Sequence, residues 1–74
     1  MSIIIVRVSG TVGNSEIVAV VTNTPIEDVH TQINSFAEDQ YGQWASVEYL
    51  ETFQAPSAKP AYNIDRVVLI DELN

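Results

Sequence analysis

The apolar positions of this chain follow two different rhythms. Ile3-Ile4-Ile5-Val6 with Val8, Ile17-Val18-Ala19-Val20-Val21 and Val67-Val68-Leu69-Ile70 are nearly continuous and β-branched, the pattern of strands apolar on both faces. Ile26, Val29, Ile33, Phe36, Ala37 and Tyr41 recur at three- and four-residue spacing and so make one stripe of an amphipathic helix. Strands are therefore expected at Ser2–Ser9 and Glu16–Thr22, joined as an antiparallel hairpin by Gly10-Thr11-Val12-Gly13-Asn14-Ser15. Gly and Asn tolerate the positive φ such turns need.

The helix is expected over 25–41. Thr24 offers an N-cap hydroxyl, Pro25 suits the first helical position and Glu27 the capping box, while Gly42 supplies a left-handed stop. Gln43–Phe53 reads as a third strand, with Ala45, Val47, Tyr49 and Phe53 on one side and Trp44 and Leu50 on the other. Gln54–Asn63 contains Pro56 and Pro60 and is expected to be a loop, and Arg66–Leu73 a final strand. The expectation is one small α+β domain, ββαββ, with a single helix on one face of a four-stranded mixed sheet.

One helix covers only one face of such a sheet, so about six aliphatic side chains are left on the other. Burying each fully is worth roughly 1.5–3 kcal/mol. Either the 54–64 segment, with Tyr62 and Ile64, folds over them, or a second copy or another protein does. A homodimer or small oligomer is accordingly expected.

The aliphatic runs near both ends suggest that the first and last strands lie parallel and adjacent, in the order 2-1-4-3. In this layout the chain resembles the ubiquitin-like β-grasp proteins: an initial strand, a Gly-containing hairpin, the helix Thr24-Pro25-Ile26-Glu27-Asp28-Val29 through Ile33, and Tyr62-Asn63-Ile64 before the last strand. The resemblance implies a fold and a habit of binding proteins. It does not imply conjugation, since those modifiers end in a glycine pair and this chain reads Asp71-Glu72-Leu73-Asn74.

Charge narrows the function classes. The formal net charge is −7, and from Val8 to Ala58 there is no Lys or Arg, whereas Glu16, Glu27, Asp28, Glu38, Asp39, Glu48 and Glu51 all fall there. Such a surface repels phosphate backbones and anionic membranes and attracts basic partners, so neither direct nucleic-acid binding nor membrane association is expected. The chain has no Cys, hence no disulfide or thiolate site, which fits a reducing cytoplasm. Its longest apolar run at the start is broken by Arg7 and is far too short to span a bilayer.

Candidate chemistry is sparse. The single histidine, His30, sits on the helix flank near Ile26 and Ile33 without a motif around it. Gly10-Thr11-Val12-Gly13 lacks the Lys-Ser/Thr of a phosphate loop. Glu27-Asp28, Glu38-Asp39 and Asp71-Glu72 are adjacent pairs whose side chains diverge, with no calcium-loop spacing. No catalytic residue, metal site or cofactor is expected. Glu27 and Asp28 suit the positive end of the helix dipole, but Glu38 and Asp39 oppose its negative end without an offsetting Lys. These four carboxylates, spread over roughly 16 Å of helix, and Trp44 beyond the helix stop form the candidate partner-binding set. The leading expectation is a non-enzymatic acidic protein-binding module, an inhibitor or adaptor that docks on a basic or apolar surface. A self-assembling structural protein and a ligand-sensing domain or enzyme with a site at a dimer interface are the alternatives.

Overall fold

A computed structural model describes residues 1–10, 13–54 and 62–72. The elements run β1 (Ser2–Ser9), β2 (Ser15–Thr22), α1 (Ile26–Tyr41), β3 (Ser46–Gln54), β4 (Arg66–Leu69) and a 3-10 turn, Ile70–Glu72. One helix packs on a four-stranded mixed sheet, as the apolar rhythms require. Thr11 and Val12 of the first turn, and Pro56 and Pro60 of the expected loop, lie outside the described residues.

The sheet order is β3-β1-β2-β4. β1 pairs antiparallel with β2 along its whole length, Ser2 opposite Thr22 and Ser9 opposite Ser15, and antiparallel with β3 on its other side. Among the described residues the only parallel pair is β2 with β4, Val20 opposite Val68. The order 2-1-4-3 would have set β1 against β4; here β3 occupies that flank of β1. The opening of β4 is tied to β2 by a two-way link, the Asp65 N–H donating to the Ile17 carbonyl at 2.8 Å and the Ile17 N–H donating to Asp65 Oδ2 at 2.9 Å.

The core lies between α1 and one face of the sheet. Ile4, Val6 and Val8 of β1, Val18 and Val20 of β2, and Val68 with Ile70 meet Val29, Ile33, Phe36 and Ala37 of the helix. Ile26 starts α1 and lies beyond the packed stripe, 38% exposed. On the outer face Ile5 and Ala19 are buried, and Ile3, Ile17 and Val21 are half-buried. The surplus apolar surface is therefore concentrated on β4, where Val67 is 64% and Leu69 51% exposed. Tyr62 is exposed and Ile64 half-buried.

Three local features depart from the expectations. First, β3 carries a bulge: Ile5 faces Glu51 but Val6 faces Tyr49, leaving Leu50 as the extra residue. An inserted residue flips the alternation, so Val47 and Tyr49 share the helix side whereas Phe53, opposite Ile3, lies on the outer face. Second, Thr24 does not cap the helix. Pro25 holds the N-cap position at φ −55°, ψ 142°, with no side-chain cap bond, and its carbonyl accepts from Asp28 N at 2.9 Å. The Thr24 hydroxyl donates instead to Asp71 Oδ1 at 3.1 Å. Third, the last strand stops at Leu69, because the chain turns so that Asp71 reaches the β2–α1 connection. There it accepts from Thr22 Oγ1 at 2.5 Å and from the Asn23 N–H at 2.8 Å. At the other end of the helix, Gly42 stops α1 at φ +108°, its N–H donating to the Glu38 carbonyl at 3.0 Å.

Candidate functional site: the open β4 edge and its groove

The helix runs over the sheet and leaves a groove of about 850 Å³ between its flank and β4. Thr31, Gln32, Ser35 and Asp39 line the helix wall, and Arg66–Ile70 with Glu72 form the strand wall. Helical spacing explains the wall: Gln32, Ser35 and Asp39 fall three and four apart, on one row of α1. The strand wall follows from β4 pairing only with β2 among the described residues, which turns half of its backbone N–H and C=O groups towards open space.

Both edges of this sheet are exposed to pairing, but they are not alike. β3 carries the bulge at Leu50 and the charges of Glu48 and Glu51, devices that discourage a further strand. Its Glu48 also accepts from Arg7 Nη1 at 2.9 Å, an ion pair whose side chains are 42% and 62% exposed. β4 has none of these except Arg66, and its remaining residues are Val67, Val68 and Leu69. It has the composition of an interior strand and the position of an edge.

The electrostatics around the groove are mostly negative. Arg66 is the one cation among the lining residues, and it lies over the Phe36 ring at 5.8 Å. Beside it Tyr41 donates its hydroxyl to Glu16. Burial first, and then the Glu16 hydrogen bond and charge, push the Tyr41 phenol above 10.0, with Arg66 pulling the other way. On the groove wall, Gln32 Oε1 is buried and has no hydrogen-bond partner among the described residues. At the far end Asp71 is held below the usual carboxylate range of 3.8, chiefly by the Asn23 N–H and the Thr22 hydroxyl.

The five partner-binding residues expected from sequence are all exposed, but the fold does not gather them. Asp39 lines the groove. Glu38 joins Asp39, Ser35 and Gln43 in a shallower cleft on the adjoining helix surface. Glu27 and Asp28 occupy the first turn, about 16 Å away along the axis. Trp44 projects 77% exposed beyond the helix stop. Tyr49 is 40% exposed; its ring packs at a tilt against His30 with centroids 4.7 Å apart, and partial burial raises its phenol above 10.0. Sequence reasoning passed over Val67, Leu69, Gln32 and Glu72 as contact residues. The signal for the first two was the excess of apolar strand surface, which said that something was uncovered without saying where.

Among the described residues no group of three or more His, Asp or Glu side chains is placed to hold a metal ion. No helix among them is long and apolar enough to cross a membrane. Compared with known proteins, the chain matches no family model, no curated sequence and no solved structure.

Proposed function

We propose that this chain is a non-enzymatic, acidic protein-binding module that engages its partner along β4. One observation carries the reading: an edge strand built like an interior one, with Val67 64% and Leu69 51% exposed. Contiguous apolar surface on a small domain marks a contact region. Covering both side chains completely supplies at most roughly 3–6 kcal/mol, less than the upper part of the roughly 4–15 kcal/mol lost when two molecules associate. Backbone pairing along the edge and charge attraction by the carboxylates must therefore contribute, which favours a partner with a basic or apolar face. A fold without cysteine suits a cytoplasmic adaptor or inhibitor of this kind, and cell fractionation checks that location.

Self-assembly is the second reading, favoured by the same edge. Two copies can pair β4 with β4 about a twofold axis, although each brings a net charge of −7, which opposes it. The experiment compares the natural chain with a Val67→Asp, Leu69→Asp variant in affinity capture from the host and in native mass spectrometry. A partner held by the natural chain and lost by the variant supports the module. Equal retention by both overturns it, and a dimer of the natural chain that the variant abolishes, with no foreign protein, replaces it with self-assembly.

A further inference from the structure

We propose that the occupant of the β4 edge is an extended segment of the partner that alternates Lys or Arg with apolar residues and adds to the sheet as a fifth strand. This rests on the binding-module reading above and names the chemistry of the partner. A strand laid beside β4 alternates its side chains between the two faces of the sheet. On the outer face they fall beside Val67 and Leu69, both exposed, where apolar side chains are matched. On the helix side they enter the groove against Gln32, Asp39 and Glu72. There two carboxylates, Asp39 and Glu72, face only one cation, Arg66, and call for a positive charge.

The four residues of β4 extend over about 13 Å at the usual strand rise, enough for four or five residues of a partner. Charge selects a basic segment over a second copy. A second β4 would bring another Asp39 and Glu72 to the same groove, and only one further Arg66, which this fold already holds over Phe36. The guarded β3 edge, with its bulge and its carboxylates, leaves β4 as the side on which a strand can be added.

The test uses the full chain and three capped octapeptides: alternating Lys and Val, alternating Glu and Val, and the Lys-Val peptide N-methylated at alternate residues. Amide hydrogen exchange is followed by NMR. The Lys-Val peptide is expected to slow exchange about tenfold within Arg66–Leu69, leaving the outward amides of β3 unchanged. The Glu-Val and N-methylated peptides are expected to bind at least about tenfold more weakly, as loss of charge attraction or of backbone donors demands. An Asp39→Lys, Glu72→Lys chain, altered only at exposed positions, should lose about tenfold in Lys-Val affinity with its thermal midpoint little changed.

Protection absent from β4, equal binding of the Glu-Val peptide, or full binding of the N-methylated one overturns the proposal. So does protection of β4 that rises with protein concentration alone, which identifies a second copy as the occupant. If the peptides fail while the Val67→Asp, Leu69→Asp variant still loses a captured partner, the fifth strand is wrong and the binding module stands. If that variant keeps its partner as well, both fall.

Discussion

Val20 and Val67 lie on adjacent strands, one residue out of register, and the fold assigns them opposite fates. Val20 is 0% exposed and Val67 64% exposed. Replacing each by Thr keeps the branched shape and the β-propensity, so the comparison isolates burial. At Val20 the new hydroxyl enters a dry core and costs about 1–3 kcal/mol if unpaired, in addition to the lost methyl contact. At Val67 only about a third of the side chain is sheltered, so the loss is about 0.5 kcal/mol or less. In a domain of this size 1 kcal/mol moves the thermal midpoint by roughly 4–8 °C. Val20→Thr should therefore lower the midpoint by about 10 °C or more and Val67→Thr by only a few degrees. Urea denaturation with an unchanged slope would confirm that both act on the folded state. Comparable losses at the two sites would refute the reasoning, since Val67 would then be buried in solution. Repeating the measurement at two protein concentrations would show whether a second copy buries it.

Other expectations follow from the polar contacts. Asp71, held by Asn23, Thr22 and Thr24, has a carboxyl lowered from 3.8, so its stabilisation is fully present above that value and fades as pH falls through the lower folded value; Asp71→Asn should flatten the acid arm of a stability–pH curve, and an unaltered arm would remove this role. Tyr41, raised above 10.0 by burial and by Glu16, contributes stability below 10.0 that is lost as pH climbs through the folded value; Tyr41→Phe should flatten the alkaline arm, and spectrophotometric titration should find a phenol ionising late. Arg7→Gln breaks an exposed ion pair with Glu48 and should cost under about 1 kcal/mol, less in high salt, by chemical denaturation. Gly42→Ala imposes a side chain on φ +108° and should cost about 1–3 kcal/mol by chemical denaturation, an unchanged midpoint removing this role.

Much of the secondary structure can be read directly from the apolar pattern. β1 spans Ser2–Ser9 as the run of isoleucines indicates, and α1 begins one residue later than the expected 25–41. What sequence conceals is long-range choice. The Thr24 hydroxyl has two good uses, a helix cap or a carboxylate, and the winner, Asp71, lies 47 residues away. The bulge at Leu50 carries no Gly or Pro to mark it, yet it sends Phe53 to the opposite face from Val47. Strand order is hidden for the same reason, because β1 is apolar on both sides and accepts either β3 or β4 as neighbour with equal local satisfaction. Val67-Val68-Leu69-Ile70 looks like buried sheet for good physical cause, and only the topology reveals that half of it faces outward. Of the carboxylates expected to bind a partner, Glu38 and Asp39 stand out in sequence because they oppose the negative end of α1; the fold puts Asp39 in the groove and Glu38 in the adjoining cleft, a division that only the helix orientation decides.

The parallel pairing of β4 with β2 also decides whether the groove beside α1 exists at all. β1, β2, α1 and β3 can form a three-stranded antiparallel platform without it, since every bond of β1 is made within that set. Until Asp65 fastens to Ile17, the rim is β2 itself and the trough beside the helix has only one bank. The two-banked groove therefore belongs to the finished fold alone, and a chain whose last strand is frayed from β2 lacks it.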